Sequence, residues 1–599
     1  MAPVNEDRAS SRPRFWSFLL GAALFALALA PRLAHLDRGL RHQPEYDERI
    51  FVESTLEMAA AGDWDHRFYE YPGLLIWILR IVFWATDASG AEAYLAARVL
   101  MAVSSALTVP LLFMVVSTHV SRRAGVGAAL LLALSPIEIE TVHMFRPDTI
   151  IAPFLFAALA CDSAGKSGRP RLAWAIATIA TALKFSAALV FAPLLASALA
   201  SKTSLKRIAA LSVGSLVLFT LLSPYTFLGG ASSIEGMGTQ LDYHYAEPAS
   251  MGFTSLLWRF VSDIPVRAMS LPGLALAVWG ILLGVRNRKR WMLGWILFPV
   301  FWILVFSSTG IRRDRFIVPV LSAMCLLAAV GLEDLLKRAR PIGYALLGLA
   351  VGLVGVGTGR YVASLDRPLT MDQALDWTRR TPGLQAVGTT FGEIGALDPG
   401  TPELVMLRGF RGDAFVASQF DALILSAEAA APPGFARAAV LKSQSCCYDP
   451  DLAIYQAGTP RRFRTLDLTQ ALVTSSAGER DEKLTDGPVS TRWRADASPA
   501  WVEIEWPAAV EPTRIELAYG SMPPDRELQV AISDDSGAIE AHSLRQPLLL
   551  QRPPGRDLSQ VFGWPARPTR RLRVSLTGPV PMRIGELRVF ADAGAVALR

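Results

Sequence analysis

The chain is poor in the residues from which most soluble catalytic and metal sites are built. It has four cysteines in 599 residues, and none stands in the C-x-x-C spacing that holds zinc or a redox disulfide. Cys446 and Cys447 are adjacent, which permits only a strained bridge. Cys161 and Cys325 sit in apolar runs and read as small packing residues. A disulfide-stapled scaffold is thereby excluded. Neither G-x-x-x-x-G-K-[ST] nor G-x-G-x-x-G occurs, so no phosphate cradle of the P-loop or Rossmann type is written here. Charge is also scarce, at 19% of residues, against about 25% in ordinary soluble proteins. The net charge of +6 is modest, and the lysines and arginines stand mostly in loops beside apolar segments. That pattern is a membrane-topology signal and excludes a nucleic-acid partner.

Apolar length is what the chain has in plenty. Hydrophobic residues make up 52% of it and the mean hydropathy is +0.32, but these figures average two unlike parts. Residues up to 358 are almost continuously apolar, and the remainder reads as soluble protein. A span takes about 20 apolar residues. The expected spans are 15–33, 95–118, 124–141, 149–164, 170–184, 186–201, 208–228, 270–285, 291–307, 316–332 and 342–358. Several are short, and the pair 170–184 and 186–201 reads as tilted or re-entrant. Arg8, Arg12 and Arg14 precede the first span and no A-x-A-like cleavage site follows it, so it is expected to be a retained signal anchor. Basic residues fill every second loop: Arg122 and Arg123; Lys166, Arg169 and Arg171; Lys202, Lys206 and Arg207; Arg286, Arg288, Lys289 and Arg290; Lys337, Arg338 and Arg340. These loops and the N-terminus belong to the cytoplasm by the positive-inside rule, and an odd number of spans sends residues 359–599 outside. The run Tyr71–Ala85 is short and carries Arg80. If it crossed, every later loop would invert, so it is expected to lie at the interface with Trp77 and Trp84 near the headgroups.

The other face gathers the unusual charges: Asp47, Glu48, Glu70, Arg146, Asp148, His244, Arg312, Arg313 and Arg315. Ionisable groups at the lipid boundary are costly and are functional candidates by default. Each has a plainer reading beside the chemical one. Asp47 is either the N-cap of the helix that follows or a general base for an acceptor hydroxyl or amine. Arg146 and Asp148 are either a helix-cap pair or ligands of a donor phosphate and its neighbour. Lys184 either snorkels or neutralises a departing phosphate. The loop 307–315 (SSTGIRRDR) opposes the orientation bias by holding arginines outside, either as headgroup anchors or, at Arg312 and Arg315, as phosphate ligands through a bidentate fork. His244, in LDYHYAEP, is either an interfacial histidine between Tyr243 and Tyr245 or a metal ligand.

The order Tyr46-Asp47-Glu48-Arg49, then Gly62-Asp63-Trp64, then Phe68-Tyr69-Glu70-Tyr71-Pro72-Gly73 resembles the first outer loop of lipid-linked-sugar glycosyltransferases of the GT-C fold. That group includes protein O-mannosyltransferases (glycosyltransferase family 39) and the aminoarabinose transferases of lipid A. Phe145-Arg146-Pro147-Asp148, Leu183-Lys184-Phe185-Ser186 and Arg315-Phe316-Ile317-Val318-Pro319 are similar in turn, and the resemblance covers residues 10–360. It implies Asp47 as catalytic base, Glu48 as its catalytic-site neighbour, and Asp148 orienting donor or acceptor. The residue readings put Arg146, Lys184, Arg312 and Arg315 on the donor phosphate, and the resemblance implies Glu70 with His244 as ligands of a divalent metal ion. Glu70 departs from the aminoarabinose pattern, since Tyr71 and a single proline follow it in place of lysine and two prolines. Two ligands alone are short of a metal site.

Residues 359–460 alternate helical and strand-like patterns and read as a small exported α/β domain; 461–599 alternates with period two and reads as a β-sandwich. Leu484-Thr485-Asp486-Gly487, Ser490-Thr491-Arg492-Trp493, Trp501-Val502-Glu503-Ile504 and the closing Ile584-Gly585-Glu586-Leu587-Arg588-Val589-Phe590 resemble the discoidin (coagulation-factor C-type) module, many of whose relatives bind carbohydrate or lipid headgroups. The expectation is thus a polytopic α-helical membrane protein of GT-C type with an α/β domain and a β-sandwich appended. It would be a multi-pass protein of the bacterial inner (plasma) membrane with its C-terminal domains periplasmic or extracellular. It would transfer a sugar, with inversion, from a polyprenyl phosphate donor to a lipid, glycan or protein acceptor. A lipid or polysaccharide flippase and a membrane-anchored carbohydrate-binding protein are the other classes. The first calls for midplane charges and repeated halves, neither of which stands out in this sequence. The second leaves the bundle and its outer charges unexplained.

Overall fold

The computed structural model describes residues 11–40, 42, 46–66, 68–163, 169–234, 236–238, 252–309, 313–382, 384, 386–390, 403–406, 417, 420–443, 451–458, 461–468, 470–476, 493–495, 497–520, 529–545, 558–577, 582–584 and 586–595. It divides into two units, one of Met1–Arg38 with Glu45–Asp366 and one of Gly39–Pro44 with Arg367–Arg599.

The regular elements of the first unit are helices among the described residues, as expected where lipid leaves a backbone no partner but itself. Among the described residues seven helices are long and apolar enough to cross a membrane, or eight if one bent pair counts as a span. The early helices are α1 (Ser11–Leu33), α2 (Tyr46–Ala61), α3 (Leu74–Thr86), α4 (Gly90–His119), α5 (Arg122–Ala133), α6 (Pro136–His143), α7 (Pro147–Ser163) and α8 (Pro170–Leu183). The count falls below the eleven expected because α7 with 17 residues, α8 with 14 and the stretch Phe185–Ala200 are each too short to cross singly, and the span 124–141 is the bent pair. α3 has 13 residues, far short of a span, and two of its side chains hold Trp64: Arg80 stacks on the ring at 4.0 Å, and Trp77 Nε1 donates to the carbonyl at 3.0 Å.

The expected span 124–141 is broken, with α5 and α6 meeting at 44°. Pro136 cannot donate to the ladder, and a break inside lipid frees carbonyls that must find partners. They do. Arg32 Nη1 donates to Ala133 O at 2.9 Å and Nη2 to Leu132 O at 3.4 Å. Thr358 Oγ1 donates to Leu134 O at 2.5 Å. Arg32 also reaches Ser105 Oγ at 2.8 Å, which donates to Glu138 Oε1 at 2.8 Å. One buried arginine thus ties α1, α4, α5 and α6 together.

The helices Asp263–Arg286 and Val318–Arg338 touch backbone to backbone: a Cβ on Gly280 would sit 1.9 Å from Leu327 O, and one on Gly331 2.2 Å from Leu276 O. Small residues are what allow that approach. The last helix of the unit, Arg340–Leu365, runs past the expected boundary at 358 because Thr358, Tyr361 and Leu365 are still buried.

Among its described residues the second unit holds four sheets, the smallest being the pair β8 (Trp493–Ala495) and β16 (Met582–Ile584). Strands β1 (Ala386–Thr389), β2 (Glu403–Met406), β3 (Ala422–Ser426), β4 (Phe435–Leu441) and β5 (Leu452–Ala457) form a mixed sheet in the order β2-β1-β3-β5-β4. Ala374 and Leu375 of the helix Thr370–Arg380 share its core with Val387, Ile424 and Ile454. Residues 39–44 join this unit, with His42 Nε2 at 3.0 Å from Asp372 Oδ1. Two five-stranded sheets make the β-sandwich. One runs β13 (His542–Arg545), β14 (Leu558–Gly563), β10 (Pro512–Gly520), β17 (Glu586–Ala595), β6 (Arg461–Thr465). The other runs β12 (Gly537–Ile539), β11 (Gln529–Asp534), β15 (Thr569–Thr577), β9 (Ala500–Val510), β7 (Leu472–Ser475). Period-two alternation along β9 and β15 turns Val502, Ile504, Leu572, Val574 and Leu576 into one core, as the sequence pattern requires.

Candidate active site

Five of the expected residues meet at one end of the helical unit, each delivered by a different turn or helix start. Helix α2 begins at Tyr46, so Asp47 lies inside its first turn and not at the cap. Phe145, between α6 and α7, has φ +43°, a conformation non-glycine residues adopt rarely and mostly where packing enforces it. Its ring is fully buried and lies 5.8 Å from that of Phe51. The left-handed step leads into Arg146, which faces Asp47, and into Asp148 in the first turn of α7, which faces Lys184 and Arg315. Lys184 is the extended residue between α8 and the 3-10 stretch Phe185–Val190. Arg315 belongs to the 3-10 turn Asp314–Ile317, just ahead of the helix Val318–Arg338.

The contacts form an unbroken chain of opposite charges. Arg146 Nη1 donates to Asp47 Oδ2 at 2.5 Å. Arg315 Nη2 reaches the same oxygen at 3.0 Å, while its Nε is 3.8 Å from Asp148 Oδ2. Asp148 Oδ1 accepts from Lys184 Nζ at 2.8 Å. Among the described residues three cations face two carboxylates in this chain of contacts. Asp148 is fully buried, whereas Asp47 and Arg315 keep 13% and 15% of their side-chain surface exposed. The accessible edge of the cluster is therefore Asp47 with Arg315.

Glu48 points the other way. Its carboxylate is fully buried and held by both arms of Arg98, Nε at 2.5 Å and Nη2 at 2.8 Å. Arg98 Nη1 also donates to the carbonyls of Leu36 and Arg38. Burial pushes the Glu48 carboxyl up, and the Arg98 fork pulls against it. Arg98 escaped the sequence reading because it stands inside the apolar span 95–118, and nothing in the local pattern names its partner.

Tyr71 is a second residue that the motif alone leaves without a task. Its ring lies 4.9 Å from Phe51 and stacks on Phe68 at 5.8 Å. Burial, with Asp47 nearby, drives its phenol well above the ordinary tyrosine range, so it stays a neutral hydroxyl beside the charges. Glu70 is half-buried in the turn before it. A Cβ on Gly236 would come within 3.1 Å of the Glu70 nitrogen, so the two segments pack closely. His244 and Arg312 lie outside the described residues. Among the described residues no group of three or more His, Cys, Asp or Glu side chains converges as a metal ion requires.

Comparison with known proteins agrees with this architecture. Residues 71–227 match the family model described as dolichyl-phosphate-mannose-protein mannosyltransferase. The crystal structure of ArnT from Cupriavidus metallidurans in the apo state is similar over 74% of this chain and 98% of its own, at 17% identity and a TM-score of 0.50. The helical unit has the GT-C glycosyltransferase fold. The chain is accordingly a multi-pass membrane protein. The same ArnT bound to undecaprenyl phosphate is 16% identical over 72% of this chain and 97% of its own, with a TM-score of 0.49. A Clostridium perfringens module, CpGH89CBM32-6, aligns with 20% of this chain and 93% of its own at 15% identity and a TM-score of 0.16. No curated protein sequence matches the chain.

Proposed function

We propose that the chain is a membrane glycosyltransferase that moves a sugar from a polyprenyl phosphate donor to a hydroxyl or amine acceptor, with inversion and with Asp47 as base. The reaction would take place at the periplasmic face of the inner membrane. The observation that carries this reading is the cluster of Asp47, Arg146, Asp148, Lys184 and Arg315 at the end of the GT-C bundle. A sugar phosphodiester brings negative charge, and the cluster gathers three cations that can meet it. The family match over residues 71–227, to proteins named for a lipid-phosphate sugar, supports the same donor class.

In the step we infer, the acceptor O–H or N–H gives its proton to the Asp47 carboxylate as its lone pair bonds to the anomeric carbon. The bond from that carbon to the phosphate oxygen breaks on the opposite face, and its electron pair leaves with the polyprenyl phosphate. The leaving group then gains a second negative charge. Arg315, Arg146 and Lys184 meet it, and fixed cations in a desolvated site are typically the largest catalytic contribution. Asp148 holds Lys184 and Arg315 in place. Glu48, gripped by Arg98, positions the first turn of α2 and hence Asp47. Tyr71 offers an uncharged hydroxyl to donor or acceptor.

The test is transfer from defined polyprenyl phosphate sugars by the purified full-length protein in detergent. Asp47→Asn is expected to lower turnover by about 10²–10⁴-fold, the usual worth of general-base catalysis. Donor binding should hold or tighten, since the carboxylate that competes for Arg146 and Arg315 is gone. Equal turnover in the variant overturns the assignment of Asp47.

A further inference from the structure

Arg315 rides on a 3-10 turn of four residues, too short to fix a long side chain by its own hydrogen bonds. Its flanks are held from outside. On one side Trp302 Nε1 donates to the Phe316 carbonyl at 2.7 Å, and the Phe316 ring lies 4.4 Å from that of Phe306. On the other side two guanidiniums grip Asp314. Arg259, from the helix Phe253–Val261, reaches Oδ1 with Nη2 at 2.7 Å and Nε at 3.2 Å. Arg267, from the helix Asp263–Arg286, donates to Oδ2. Arg267 extends to Glu140 of α6 at 3.6 Å, and α6 leads directly into Phe145 and Arg146. One charge chain, Glu140–Arg267–Asp314–Arg259, therefore joins the segment that delivers Arg146 to the turn that delivers Arg315.

We propose that Asp314 is a positioning residue whose clamp by Arg259 and Arg267 aims the Arg315 guanidinium between Asp47 and Asp148 and so sets affinity for the donor phosphate. This rests on the reading of Arg315 as a phosphate ligand. The physical reason is preorganisation. An arginine on an unheld turn loses rotamer and backbone freedom when it binds phosphate, and a turn already fixed at both flanks does not. A bare surface ion pair would do little, and Arg267 is 53% exposed. The inference therefore stands on coupling to Arg315 and not on the stability of the pairs.

The experiment is a double-mutant cycle on binding of a polyprenyl monophosphate to the solubilised full-length protein, with thermal unfolding followed in parallel. Asp314→Asn keeps the shape of the side chain and is expected to weaken binding about tenfold, the scale of coupling between neighbouring groups. In an Arg315→Ala background the same change should weaken it by less than about twofold. Asp314→Glu should recover part of the loss. If Asp314→Asn fails to fold, Arg267→Gln removes one arm at an exposed position and should weaken binding about threefold, again only when Arg315 is present. Equal weakening in both backgrounds, or none in either, overturns the inference while leaving Arg315 as a ligand. A wild-type protein that binds no polyprenyl phosphate overturns the donor reading itself, and this inference with it.

Discussion

At the scale of single residues, the pairing of Asp148 with Lys184 separates structural from catalytic need. Asp148 is fully buried and Lys184 nearly so, with Nζ 2.8 Å from the carboxylate. Lys184→Met removes the ammonium and leaves a buried carboxylate without compensation, which costs about 3–5 kcal/mol. The double variant Lys184→Met with Asp148→Asn should regain most of that stability, seen as recovery of the unfolding midpoint. It should not regain turnover, because the cation that meets the leaving phosphate is still missing. Recovery of both would reduce the pair to scaffolding. The candidate residues were legible one by one, since acids and arginines stand out at the ends of apolar runs. Their partners were not. Asp47 and Arg146 are 99 residues apart, and no local pattern carries that pairing.

At the scale of the element, the break between α5 and α6 decides where Arg146 and Asp148 go. The sequence marks 124–141 as one apolar span, and Pro136, with Glu138 and Glu140 just after it, marks its interruption. The bend holds because Arg32 and Thr358 cover the carbonyls of Leu132, Ala133 and Leu134. Arg32→Met should therefore cost several kcal/mol, on the order of 3–5 for an uncompensated buried acid at Glu138, and lower the yield of folded protein. Thr358→Val removes one hydrogen bond at the same break and should cost about 1–3 kcal/mol. A midpoint unchanged in both variants would mean that the bend does not depend on these donors. In the linear sequence Arg32 reads only as a charge closing the first span. Its engagement with α4, α5 and α6 comes from packing.

At the scale of the whole molecule, each unit has its own apolar core, and the reading assigns the chemistry to the helical one. Ile504→Ala, fully buried in the sandwich, should destabilise that fold by about 2–5 kcal/mol. It should lower the midpoint of the sandwich's transition by several degrees while transfer from a defined donor continues at the wild-type rate. Loss of transfer in step with unfolding of the sandwich would move the function toward the C-terminal unit. The sequence alone determined the features that are linear: the run of apolar helices, the shortness of α3, the switch to strands and the alternation that buries one face of β9 and β15. Hydropathy, charge bias and period are properties of neighbouring residues, so they survive without a fold. The tertiary structure decided the rest. It set the count of helices able to cross, placed Arg98 on Glu48, clamped Asp314 between two arginines, and folded three cations and two carboxylates into one cluster. Those are contacts between distant segments, and only the packing of helices against one another brings such segments within a few ångströms.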